Sequence, residues 1–281
     1  MRLPIDEDLY MASCYRDLQE PVESARAFKL VHEKKADNAV LLIPGYAGYP
    51  GELESPAKAL YGNGFDVFVI RLPGMGTSGI DFQRTTASDW MTASENALTI
   101  LMGSYKRISL LGHSMGCLIA ILLSLKTDIR AMVLAAPALK LKQKIPMVSL
   151  KLMKSMKKVP DLPWKPDPDY HLHYEGAPRD DEYLGREYWS HLYPGQFMEL
   201  MELQKKAVER IKDLDVPVLA IMGGEDPLCV PDSVEMLTQR RFGVSQIVRI
   251  DEGSHMLYYD KSEKAEEIAV KETVDFLLRL N

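Results

Sequence analysis

The sequence predicts an α/β fold: a mostly parallel, doubly wound sheet, helices on both faces and an inserted helical cap. Three observations carry that expectation. From about residue 38 onward, short aliphatic or β-branched runs end in glycine or proline and alternate with longer helical patterns. The short runs are apolar almost throughout, as strands covered on both faces must be. One long stretch, residues 139–210, drops the alternation and gathers prolines at 146, 160, 163, 166, 168, 178 and 194.

Each element follows from local pattern. Residues 39–43 read as a strand stopped by Pro44-Gly45. Residues 54–61 are helical and end at Gly62-Asn63-Gly64, a C-terminal stop signal. Residues 65–70 form the next strand, ended by Leu72-Pro73-Gly74. Residues 88–102 read as a helix with Ser88 as its N-cap. Strand 107–111 and helix 117–123 follow, then strands 130–135, 216–221 and 246–250. An amphipathic helix over 264–280 closes the chain. Residues before 38 are expected to add an antiparallel segment. Within the insertion, residues 140–158 are basic and rich in Met and Leu, and residues 196–214 have a clean helical pattern. The expected division is a core of 1–138 and 211–281 with a cap of 139–210.

Composition bounds the function classes. At 281 residues, 46% apolar and 26% charged, the chain is an ordinary globular protein. A net charge of −6 argues against nucleic acid as a partner. Cys14, Cys117 and Cys229 are odd in number and scattered, which fits neither a disulfide framework nor a zinc site. The first residues turn acidic at once and lack the apolar core of a signal peptide. A cytoplasmic location is the expectation.

The chemistry centres on Gly112-His113-Ser114-Met115-Gly116, between an apolar strand and an apolar helix. A serine between two glycines at a strand-to-helix turn is the nucleophile elbow pattern. Such a turn lifts the Ser114 hydroxyl above the sheet at a helix N-terminus, where a developing anion is favoured. Serine needs a base, and histidine titrates near neutrality. Among six histidines, only His113 and His255 fall in loops at the carboxyl ends of strands, where sites of this architecture lie. His113 is inside the elbow, where adjacent side chains diverge, so His255 is the expected base. The acid should also follow a strand. Asp226, in Gly223-Gly224-Glu225-Asp226-Pro227, is favoured over its neighbour Glu225, because only one of two adjacent side chains can face His255; Asp232, Asp251 and Glu252 are weaker fallbacks. An oxyanion hole needs the backbone N–H after the nucleophile, that of Met115, and one from an earlier strand-end loop. The loop Pro44-Gly45-Tyr46-Ala47-Gly48 supplies the N–H of Tyr46.

With these residues in place, the chain closely resembles the α/β-hydrolase superfamily. Gly112-His113-Ser114-Met115-Gly116, Gly224-Glu225-Asp226 and Gly253-Ser254-His255 occur in the order Ser, Asp, His. Pro44-Gly45-Tyr46-Ala47-Gly48 and Arg71-Leu72-Pro73-Gly74-Met75-Gly76-Thr77-Ser78 resemble the branch of monoacylglycerol lipases, lysophospholipase-like proteins and bacterial carboxylesterases. Two departures stand out. Pro44-Gly45 replaces the His-Gly that often opens the oxyanion loop, and Gly74-Met75-Gly76 replaces a usual Gly-His-Gly. A backbone donor at Tyr46 survives the first change, and no triad member is touched by the second.

The resemblance implies an α/β-hydrolase fold and acyl transfer through Ser114, Asp226 and His255 without metal or organic cofactor. The substrate expected is a short- to medium-chain acyl ester, monoacylglycerols and lysophospholipids included. Amide or peptide hydrolysis and thioester hydrolysis stay open on the same triad, as does a non-catalytic ligand-binding role. Candidate substrate contacts are Tyr46, His113, Met147, Met153, Trp164 and Leu228. The basic, Met-rich part of the cap suits an apolar ligand, with weak membrane-surface contact and no stable insertion. A monomer or homodimer is expected.

Overall fold

A computed structural model describes residues 2–142, 145–160, 165, 180–240 and 245–280. Among the described residues ten strands occur: β1 (Leu3–Pro4), β2 (Phe28–Leu30), β3 (Asn38–Ile43), β4 (Asp66–Val69), β5 (Arg107–His113), β6 (Met132–Ala135), β7 (Val159–Pro160), β8 (His191–Leu192), β9 (Val218–Gly223) and β10 (Ser245–Ile250). The α-helices are α1 (Asp8–Met11), α2 (Glu54–Gly62), α3 (Gly79–Phe82), α4 (Ala87–Met102), α5 (Met115–Ser124), α6 (Met147–Met153), α7 (Asp180–Leu184), α8 (Pro194–Arg210) and α9 (Glu263–Arg279). Among the described residues no helix is long and apolar enough to cross a membrane.

Eight strands form one sheet in the order β1-β2-β4-β3-β5-β6-β9-β10. The six strands from β4 to β10 run parallel, and β1 and β2 add the antiparallel edge. The chain moves from β3 outward to β4, then returns to lay β5 on the other side of β3. That reversal places a topological switch point between β3 and β5, where Ile43 pairs with Gly112. Open α/β sheets form their crevices at such points, beyond the carboxyl ends of the strands.

Strand residues alternate between the two faces, as a period of two requires. Leu41, Ile43, Leu110, Leu134 and Ala220 pack with α4, α5 and α8. Val40, Leu42, Leu111, Val133 and Leu219 pack with α2 and α9. Every residue from Met115 to Ile121 is buried, so α5 is apolar all round. Phe197, Leu200, Leu203 and Ala207 of α8 are buried in the same cluster.

The structure corrects several local expectations. Thr86, not Ser88, caps α4: its hydroxyl accepts the Asp89 N–H while the Asp89 carboxylate accepts the Thr86 N–H. This reciprocal capping box satisfies two orphan donors, which Ser88 inside the first turn cannot do. The helix expected from 196 to 214 begins at Pro194 and ends at Arg210, followed by a tighter turn over Ile211–Asp213. The insertion also contains the short antiparallel pair β7–β8, too brief to leave a periodic signal.

The elbow owes its sharpness to close backbone approach. A Cβ on Gly116 would lie 2.1 Å from the carbonyl oxygen of Ile43. Gly116→Ala should therefore push α5 off β3 and destabilise the fold by about 2–3 kcal/mol, read as a lower urea midpoint. A change under about 0.5 kcal/mol would contradict this contact.

Candidate active site

Three loops at the carboxyl ends of β5, β9 and β10 bring Ser114, Asp226 and His255 together. Ser114 sits at the turn between β5 and α5 with φ 52° and ψ −112°. That conformation is costly for any residue with a Cβ, and such strain persists only where surrounding structure enforces it. Its hydroxyl donates to His255 Nε2 at 2.9 Å. His255 Nδ1–H donates to Asp226 Oδ2 at 2.7 Å. The other carboxylate oxygen, Oδ1, accepts the N–H groups of Leu228 and Cys229, each at 2.8 Å. Glu225 is exposed.

These contacts set the electrostatics. Burial would raise the Asp226 carboxyl, but the His255 hydrogen bond and charge, with the Cys229 and Leu228 N–H groups, hold it below the usual range. Asp226 thus stays ionised and fixes His255 with Nε2 free to accept. His113 is also buried, and its Nε2–H donates to the His255 carbonyl at 2.9 Å. Burial, then the proximity of His255, lower His113 to about 4, so it is a neutral support for the His255 loop. Backbone bonds stitch the acid and base loops together: Gly224 N–H to Ile250 O at 2.8 Å, and Glu225 N–H to Gly253 O at 3.0 Å.

The loop after β3 lies against the elbow. A Cβ on Gly45 would be 3.1 Å from Ser114 Cβ. The Tyr46 ring packs edge-on against Phe82, Trp90 and Phe197. Among the described residues, no turn or loop carbonyl accepts the N–H of Tyr46 or Met115.

Above Ser114 is a cavity of about 230 Å³, lined mainly by apolar side chains. Of the residues expected to touch substrate, Tyr46, His113 and Leu228 line it. Met147 and Met153 are not among its lining residues, and Met147 is exposed at the surface of α6. Trp164 lies outside the described residues. Phe197, Leu200, Trp189, Met256, Cys229 and Glu52 complete much of the wall and were not anticipated. The buried stripe of α8 could have pointed to Phe197 and Leu200; nothing local singled out Glu52.

Asp226, Cys229 and His255 hold possible metal-ligand atoms within 4.8 Å of one another. Burial pushes the Cys229 thiol well up, so it stays protonated and is a poor ligand. The other two groups are already hydrogen-bonded to each other.

Residues 34–262 match the family described as "Serine aminopeptidase, S33". A thermostable monoacylglycerol lipase from Bacillus sp. is 36% identical over 77 residues, which span 27% of this chain and 31% of that protein. The matched segment is thus under a third of that relative's length. Among solved structures, one of two metagenome-derived lipolytic enzymes aligns with TM-score 0.77 and 17% identity over 92% of this chain and 100% of that one. The monoacylglycerol lipase of Paleococcus ferrophilus aligns with TM-score 0.68 and 20% identity, covering 89% and 98%. A soluble variant of the Saccharomyces cerevisiae monoglyceride lipase, in complex with a substrate analogue, aligns with TM-score 0.69 and 17% identity, covering 95% and 96%. At these identities the structural likeness establishes a shared α/β-hydrolase fold.

Two outcomes follow for stability. Ser114→Gly should be more stable than Ser114→Ala by about 1 kcal/mol, because only glycine adopts this backbone without strain. Equal urea midpoints for the two would contradict the strained elbow. Burial pushes Glu52 from the usual 4.5 to about 8. Between those values the unfolded chain has lost the proton that the folded chain keeps, so stability falls as pH rises, by at most about 1.4 kcal/mol per pH unit. Glu52→Gln should flatten that slope; an unchanged slope would mean that Glu52 is ionised in the folded protein.

Proposed function

This chain belongs to the serine aminopeptidase, S33, family, and on that footing we propose that it is a serine hydrolase of carboxylic esters. The substrates proposed are short- to medium-chain acyl esters, with monoacylglycerols and lysophospholipids in range. The observation that carries this reading is the hydrogen-bonded chain from Ser114 through His255 to Asp226, with its serine hydroxyl facing an apolar cavity.

In the proposed reaction His255 Nε2 takes the Ser114 proton as Oγ attacks the ester carbonyl carbon. The N–H groups of Tyr46 and Met115 receive the oxyanion, a stabilisation on the order of 3 kcal/mol per donor. Asp226 holds the imidazole in the required tautomer and balances its positive charge. The protonated His255 then gives its proton to the departing alcohol, leaving the acyl group on Ser114. Water, deprotonated by His255, releases the acid and restores the serine. Residues 139–210 act as the cap in this reading, with Phe197 and Leu200 of α8 supplying acyl contacts.

Hydrolysis of p-nitrophenyl esters of graded chain length tests the proposal. Wild-type protein should turn over the short and medium esters. Ser114→Ala should lose more than about 10³-fold in kcat, and Asp226→Asn on the order of 10⁴-fold. No wild-type turnover of any ester, alongside cleavage of aminoacyl arylamides, would replace ester hydrolysis with amide hydrolysis.

A further inference from the structure

The lining of the cavity over Ser114 combines apolar side chains, Ala138, Leu141, Leu200 and Leu228 among them, with the carboxyl-bearing Glu52. Gly48 lies against that carboxyl, and Met256 is joined to it through Tyr259. The neighbours of this carboxyl are tied together. Trp189 Nε1–H donates to the Ala47 carbonyl at 3.1 Å, and the Tyr259 hydroxyl meets both Met256 Sδ and the Glu52 carboxyl.

Glu52 is 5% exposed, and among the described residues no Lys, Arg or His forms an ion pair with it. Its partners are neutral: a backbone N–H of Tyr49 and the Tyr259 hydroxyl. The nearby charged group is another acid, Asp181, itself bound by the Tyr49 hydroxyl at 2.9 Å. A buried carboxyl in a fold's interior is normally paired with a cation. This one instead faces the cavity. Gly48 makes room for it, since a Cβ there would lie 2.6 Å from Glu52 Oε2 and 3.1 Å from the Gly45 nitrogen. The carboxyl therefore rests against the same short loop that touches the Ser114 elbow.

Building on the ester-hydrolase reading, we propose that Glu52 is a specificity-determining residue that hydrogen-bonds a hydroxyl on the alcohol half of the substrate. Esters of polyols such as glycerol are then preferred over esters of simple alkyl alcohols. The chemistry suits a hydroxyl. Burial, with Asp181 adding to it, keeps the Glu52 proton up to about 8, so near neutral pH the group offers one O–H donor and spare acceptor capacity. A hydroxyl both donates and accepts and satisfies both. An alkyl alcohol leaves the carboxyl desolvated and underpaired, the situation in which polar sites reject the analogue lacking a hydroxyl. The apolar side chains of the lining take the acyl chain.

The test compares 1-monobutyrylglycerol with ethyl butyrate, which share one acyl group. Wild-type kcat/KM should favour the glycerol ester by about 10-fold or more, the scale of one buried hydrogen bond. Glu52→Leu should reduce that ratio to within about 3-fold, mainly by raising KM for the glycerol ester, and Glu52→Gln should retain part of it. Wild-type protein that cleaves both esters without preference overturns this inference alone. Equal losses on both esters in Glu52→Leu, with no recovery in Glu52→Gln, mark a structural role and overturn it too. Preference for butyrylcholine, lost on Glu52→Leu, assigns the carboxyl to a cation and overturns the polyol assignment. No wild-type turnover of any of these esters overturns the ester-hydrolase reading as well.

Discussion

The site depends on one strained backbone position. Ser114 is held at φ 52° between the end of β5 and the start of α5. Two packing facts hold it there: α5 is buried on every side, and its Gly116 touches the carbonyl of Ile43 in β3. The sheet's switch point lies at the same place, so the loop after β3 and the elbow after β5 are neighbours by topology. Hydrophobic burial of α5 thus enforces a turn that local preference alone would relax.

Around that turn, support runs through backbone and neutral groups. The acid and base loops are joined by N–H to carbonyl bonds, and His113 steadies the His255 carbonyl as an uncharged donor. The acid loop is also tied to the start of the 139–210 insertion. Leu141 bridges to Cys229, the Lys142 N–H donates to the Leu228 carbonyl at 2.8 Å, and the Lys142 ammonium donates to the Asp226 carbonyl. The start of residues 139–210 and the loop that carries Asp226 are therefore joined by backbone and side-chain hydrogen bonds.

Much of this was legible in the chain because strand ends are loud signals. Ser114, Asp226 and His255 each follow an apolar run stopped by glycine, and these are the side chains that meet. Glu225 and Asp226 could be separated because neighbours on a turn diverge. Other features were silent for physical reasons. The cap of α4 fell to Thr86 because a reciprocal pair with Asp89 outcompetes a lone Ser88. Met147 and Met153 have the right composition for a pocket, yet a helical stripe does not say what faces it, and the cavity is walled by Phe197 and Leu200 of α8 instead. Glu52 carried no local sign at all. Its neighbours Tyr49, Tyr259 and Asp181 are far apart in the chain, and only the assembled fold shows that among the described residues no cation pairs with its carboxyl.

The central claim is that His255 and Asp226 make the Ser114 hydroxyl nucleophilic. Its most direct measurement is the rate of covalent labelling by a fluorophosphonate, followed by the mass of the intact protein. The account predicts a single adduct located on Ser114, absent in Ser114→Ala and slowed by more than about 100-fold in His255→Ala. A wild-type protein that stays unmodified, or one labelled at the same rate without His255, would contradict it.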